Sequence, residues 1–224
     1  LNFKNRIGVI RNPYEWYLSI WKSTCKEKKR SPIYGDLVSI RLKLKRLRLN
    51  KRLCGYIFSQ ITKDRNKLKS LFENVHSKKN FNKFLDIMLN FKNRQMIGSE
   101  YSFVPFENLG YMTYIFFSQN VLRRNYNVVY NSTYNFEDIL NYNNLNLYTN
   151  IYFKTENLNR NLKKFLRSSN IEVKSLNILN KNSTSKVLKK NYKNFFTAKN
   201  ILLIEKKEDY IFKKFNYRKI SSQF

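Results

Sequence analysis

The chain has 224 residues, and 44 Lys and Arg against 15 Asp and Glu give it a formal net charge of +29. That length supports one domain, 1–224, with a sizeable core. No apolar run reaches the roughly 18 residues a spanning helix needs, so no membrane span is expected. Two cysteines, Cys25 and Cys54, make neither a disulfide framework nor a zinc quartet, which points to a reducing, cytoplasmic compartment and no metal. The charge would draw polyanions at low salt. It has a plainer reading too: the chain is crowded with Lys, Asn, Ile, Tyr and Phe, which an AT-rich coding sequence over-supplies, and much of the charge then sits on solvated faces. None of the five glycines, Gly8, Gly35, Gly55, Gly98 and Gly110, is followed by Lys, so these residues hold no phosphate-cradling G-K-S/T loop.

The first informative stretch, Arg6 to Trp21, changes hydrophobic period midway. Ile7, Val9 and Ile10 with Gly8 form a short apolar run, the pattern of a buried strand. Arg11 ends it. Asn12 and Pro13 then predict a helix start, because Asn accepts from free N–H groups of the first turn and Pro is at home at the first helical position. Glu15 suits the positive end of the helix dipole. Trp16, Tyr17, Ile20 and Trp21 recur at helical spacing, predicting an amphipathic helix to about Cys25. A strand that empties through an Arg into a helix N-terminus is an anion site in outline.

R-N-P-Y-E-W-Y-L-S also resembles the signature by which sulfotransferases hold the 3′-phosphate of 3′-phosphoadenosine-5′-phosphosulfate. That signature is an Arg, then Asn or Asp, Pro, and a later Ser; here Arg11, Asn12, Pro13 and Ser19 match it. The resemblance implies that the side chains of Arg11 and Ser19 both bond the phosphate. Spacing alone does not show this, since Ser19 lies about 9 Å along the helix axis from Pro13 at 1.5 Å per residue.

Lys26 to Ser31 reads as a charged exit, Pro32 with Gly35 as a turn, and Asp36 as the cap of the next element. Leu37 to Leu49 fits both a strand and a helix; helix is favoured because Leu, Lys and Arg are good helix formers. The basic face of that segment is either an arm for a polyanionic acceptor or simply solvated. Asp64 to Val75 and Phe81 to Phe91 predict two further helices, the second capped by Asn80. The single histidine, His76, lies between them and reads as a solvated loop residue rather than a general base. Pro105 to Val121 predicts a helix whose aromatic stripe belongs to the core. Val128 to Asn146 predicts a loop with a short helix near Phe136 to Leu140.

Asn150 to Lys154 predicts a second strand, and Thr155 with Glu156 starts a helix through Leu166. The run Y-F-K-T-E-N-L is similar to a sulfotransferase segment in which a strand ends in an E-N-L turn. Next come Asn180, Lys181, Asn182 and Ser183, then a helix from Thr197 to Phe215 closing in F-N-Y. Carbohydrate-directed sulfotransferases often close with an N-K-S-like turn and a last helix ending in F-G-Y. The resemblance therefore makes Lys181 and Ser183 candidates for phosphate contacts, with a solvated loop as the plainer reading.

Two apolar strands separated by long helical stretches argue an α/β fold with a parallel sheet. The resemblance implies a P-loop-nucleotidase-like three-layer fold, here missing its first strand and phosphate loop. It further implies transfer of a sulfuryl group from the sulfonucleotide to an acceptor hydroxyl, on a saccharide if the closing segment is a guide, with the Golgi lumen as the compartment in a eukaryote. Without the phosphate loop the chain is expected to be an N-terminally truncated piece, inactive alone even if it binds nucleotide. A basic nucleic-acid-binding module without enzymatic activity is the alternative.

Overall fold

The computed structural model describes residues 6–42, 51–121, 127–169 and 192–221. They form a mixed α/β, mostly helical body around one two-stranded parallel sheet. Strand β1 (Ile7–Ile10) pairs with β2 (Ile151–Lys154) in the register Ile7 to Ile151 through Ile10 to Lys154. Gly8 is needed here, because a Cβ would meet the Tyr152 ring at 2.9 Å. That ring packs on Phe116 and Phe215, with centroids 5.5 and 5.2 Å away. On the opposite face Phe153 meets Phe165 of α8 (Leu158–Ser168).

The expectation of a buried first strand holds only for Ile10. Ile7 and Val9 are 42% and 54% exposed, because α8 packs against β2 rather than over β1. Helix α1 (Pro13–Lys26) runs from β1 into the core and buries Tyr14, Tyr17, Leu18 and Trp21. These contact α5 (Lys78–Leu89), where Trp21 meets Phe81 at 5.3 Å, and the C-terminal helices, where Tyr14 meets Phe212 at the same separation.

Several local expectations change. Pro32 and Gly35 lie inside helix α2 (Pro32–Val38), whose N-terminus Ser31 caps by accepting from the Tyr34 N–H. Asp36 is therefore not a cap; it is buried and bonds the Arg41 guanidinium at 2.8 Å. The helix expected from Leu37 to Leu49 ends at Val38, Ser39 to Leu42 are not helical, and 43–49 lie outside the described residues. Helix α3 (Lys51–Thr62) comes next, then α4 (Arg65–Ser70), capped by Asp64 and shorter than expected. Ser77, not Asn80, caps α5.

Helix α6 spans Tyr111–Asn120, and does not begin at Pro105 because the buried Arg94 guanidinium takes the carbonyls of Val104, Phe106, Glu107 and Leu109. Helix α7 (Phe136–Leu145) outruns its expected length. The closing helix is two, α9 (Ala198–Lys207) and α10 (Asp209–Lys214). The break falls at Glu208, whose backbone (φ −107°, ψ 20°) leaves the helical region as its carboxylate turns to the N-terminus of α6. There it accepts from the N–H groups of Met112 and Thr113 at 3.1 and 2.8 Å. Gly110, the α6 cap residue, has no room for a Cβ beside that carboxylate.

Candidate functional site

The junction of β1 and α1 is built as the sequence suggests. Asn12 caps α1, its side chain accepting from the Tyr14 N–H at 3.0 Å, and Pro13 opens the first turn. The backbone N–H of Asn12 donates to Glu156 Oε1 at 3.1 Å, which ties the turn after β2 to the turn after β1. Tyr217 closes the same corner: its hydroxyl lies 3.4 Å from both the Ile10 carbonyl and Glu156 Oε2. Burial, then the Glu156 charge, raises the Tyr217 phenol, so it stays a donor. Lys154 sits 4.5 Å from the centre of the Tyr217 ring. Three of the four segments that resemble sulfotransferases in sequence therefore meet at one corner, although they are far apart in the chain; the fourth, Asn180 to Ser183, lies outside the described residues.

Arg11 and Ser19 line one groove of about 780 Å³ along α1. Both are half-buried. Among the described residues the Arg11 guanidinium has no hydrogen bond or ion pair, and neither has the Ser19 hydroxyl. Trp16, Ile20 and Tyr111 supply apolar wall, with the Trp16 and Tyr111 rings 6.1 Å apart. Lys26 and Arg30 stand at the far end, with Glu27 as the acid among the lining residues. The groove thus carries a cation just before the helix start, one at its last residue and one beyond its end. An arginine without a partner beside a helix N-terminus is suited to a dianionic phosphate, through charge-assisted bonds and the helix dipole together.

Lys181 and Ser183 lie outside the described residues. His76 is an exposed loop residue away from the groove, its own N–H donating to Asn74 Oδ1 at 2.9 Å. Among the described residues no three His, Cys, Asp or Glu side chains come together to hold a metal ion. Lys26 and Arg30 were not singled out from sequence as groove residues. The signal was there: Ser19, Ser23, Lys26 and Arg30 succeed one another at steps of three and four, so that a helix carrying the first three puts them on one side. Lys22, one position off that row, turns inward, with its ammonium 4.8 Å from the Phe195 ring and lowered by burial to about 8.

No family model, curated protein or solved structure matches this chain.

Proposed function

We propose that this chain is a sulfotransferase-type domain that binds the 3′-phosphate end of 3′-phosphoadenosine-5′-phosphosulfate in the α1 groove. The observation that carries the reading is the placement of Arg11, whose guanidinium has no hydrogen bond or ion pair among the described residues, and Ser19 on one groove. The meeting of the E-N-L turn and the closing F-N-Y at the same corner supports it. In the fold this reading implies, β1 and β2 belong to the parallel sheet of a P-loop-nucleotidase-like three-layer domain. The reaction is in-line displacement: an acceptor oxygen, of a saccharide hydroxyl in this reading, bonds to sulfur. The bridging bond to the donor phosphate breaks, the hydroxyl proton leaves, and adenosine 3′,5′-bisphosphate departs. Catalysis of this kind rests mainly on alignment and on cations that stabilise the transferring oxygens. Arg11 and Ser19 serve the first of these by fixing the far end of the donor.

Titration calorimetry with adenosine 3′,5′-bisphosphate tests this. Arg11→Ala should weaken binding by roughly ten- to a hundredfold, and Ser19→Ala by about fivefold, the usual worth of a charge-assisted and an ordinary hydrogen bond. Unchanged affinity in Arg11→Ala overturns the assignment. So does indifference to the bisphosphate together with tight, salt-sensitive binding of single-stranded nucleic acid, which selects the nucleic-acid module instead.

A further inference from the structure

Helix α3 is sided. Leu53, Tyr56 and Gln60 turn inward and are buried. The opposite side presents Cys54, Phe58 and Ile61 at steps of four and three, one helix face. Phe58 is 69% and Ile61 62% exposed, and Cys54 is exposed as well. Alongside runs the segment 40–42, held to the helix by the Tyr56 hydroxyl donating to the Arg41 carbonyl and by the Arg41 N–H donating to Gln60 Oε1 at 3.4 Å. Ile40 and Leu42 flank Arg41, and each is 46% exposed. Four large apolar side chains around one helix are therefore left in water.

The chemistry around them narrows what could cover them. Between residues 41 and 69 the sequence carries eleven Lys and Arg and a single acid, Asp64; of these Arg41 is paired with Asp36 and Lys63 is buried. Arg65, Lys67 and Lys69 are exposed. Such a charge complements an anionic surface. A nucleic acid is anionic too, but Ile40, Leu42 and Ile61 have no ring to stack on a base, so it would leave them wet. A hydrocarbon layer beneath anionic headgroups takes up both the aliphatic side chains and the cations.

We propose that the outer face of α3, with the adjoining Ile40–Leu42 edge, docks on an anionic lipid bilayer. Phe58 and Ile61 enter the boundary between headgroups and acyl chains, and the neighbouring cations meet the headgroups. This is attachment to a surface, not passage through it: among the described residues no helix is long and apolar enough to cross a membrane.

The test uses the full chain and vesicles of phosphatidylcholine with about 30 mol % phosphatidylserine, against phosphatidylcholine alone. The protein should sediment with the anionic vesicles, far less with the neutral ones, and less as salt rises. Phe58→Ser with Ile61→Ser should lower the partition roughly tenfold or more with an unchanged thermal melt, because both side chains are already exposed. An environment-sensitive dye on Cys54 should shift to the blue on anionic vesicles. Cys25 competes little for the label, since burial pushes its thiol up to about 11. The proposal is overturned if the double variant partitions like the parent protein, or if Cys54 reports no shift. It is equally overturned if a single-stranded oligonucleotide produces the shift and vesicles do not, or if the double substitution merely turns a dimer into a monomer that never bound vesicles.

Discussion

Arg94 and Arg11 are the same side chain put to opposite uses. Arg94 is 2% exposed, and its guanidinium donates to the carbonyls of Phe106 and Leu109 at 2.8 Å, of Val104 at 3.0 Å and of Glu107 at 3.4 Å. The rings of Tyr101 and Phe91 lie 4.3 and 4.8 Å from it. A segment with no ladder of its own is thereby folded around a cation. At Arg11 no such carbonyls gather among the described residues, and the charge faces a groove. What separates the two is whether the protein has already supplied acceptors: where it has, the charge organises the chain, and where it has not, the charge faces the groove in which we propose a ligand binds.

The largest effect should come from breaking the first of these. Arg94→Met takes the charged donor from four carbonyls and, among the described residues, leaves that of Val104 without any other. Those of Phe106, Glu107 and Leu109 keep the Leu109 N–H, the Lys207 ammonium and the Tyr101 hydroxyl. Urea denaturation should show a loss of about 3 kcal/mol. Arg11→Ala should stay within about 0.5 kcal/mol in the same assay, as surface substitutions usually do. Equal losses would make Arg11 a structural residue and end the contrast. A loss confined to Arg94 sharpens it.

Two carboxylates one turn apart extend the comparison to acids, and pH reads them with opposite sign. Burial pushes the Glu208 carboxyl above its ordinary 4.5, and bonds from Thr113, Tyr17 and Met112 offset only part of that. Burial also acts on Glu205, but there the side chain and N–H of Ser221, with the Tyr14 hydroxyl, prevail and hold it below 4.5. A raised carboxyl favours folding below its unfolded value, and that contribution is lost as pH rises through the folded one. A lowered carboxyl contributes above the unfolded value, and its contribution is lost as pH falls through the folded one. Denaturation between about pH 3 and pH 8 should therefore show the stability gap between parent and Glu208→Gln shrinking as pH rises. The gap to Glu205→Gln should widen. Gaps that move in the same direction would show that Glu208 is held as an ordinary carboxylate by its donors.

The legible parts of this fold were those governed by neighbours in sequence. The β1–α1 turn could be read because Asn12 and Pro13 carry their cap chemistry locally, and the core face of α5 because Phe81, Phe84, Leu85 and Met88 keep helical spacing. Two of the misread boundaries were set by distant groups, whereas at α2 and α5 the cap was a nearby Ser, Ser31 and Ser77, rather than the residue expected. Nothing near Pro105 shows that Arg94 will claim the carbonyls up to Leu109, and nothing near Lys207 shows that Glu208 will turn to cap α6. Helix α3 is not among the expected elements, although Leu53, Tyr56, Ile57 and Gln60 carry its inward spacing. For the site, Arg11 is legible locally as the cation where a strand runs into a helix N-terminus, whereas Ser19 rests on the resemblance. Their shared groove required the chain to fold, since the far wall is Tyr111.

The closing F-N-Y joins both kinds of information, and gives the smallest and most local test. Asn216 has φ 47°, in the left-handed region, the one non-glycine residue with positive φ among those described. It stands just past the end of α10 in a Schellman arrangement: the Tyr217 N–H donates to the Phe212 carbonyl at 3.0 Å, and the Asn216 N–H to that of Lys213 at 3.3 Å. Asn tolerates this conformation and Gly adopts it freely, which is the physical reason for Asn to stand where the resembling pattern has Gly. Asn216→Gly should change stability by no more than about 0.5 kcal/mol, whereas Asn216→Ala should cost about 1 kcal/mol, because its Cβ opposes the left-handed backbone. The same turn aims Tyr217 at Ile10 and Glu156, so Ala should also weaken bisphosphate binding slightly while Gly does not. Identical behaviour of the two variants would mean that the turn is held by Tyr217 and its partners rather than by the backbone preference at 216.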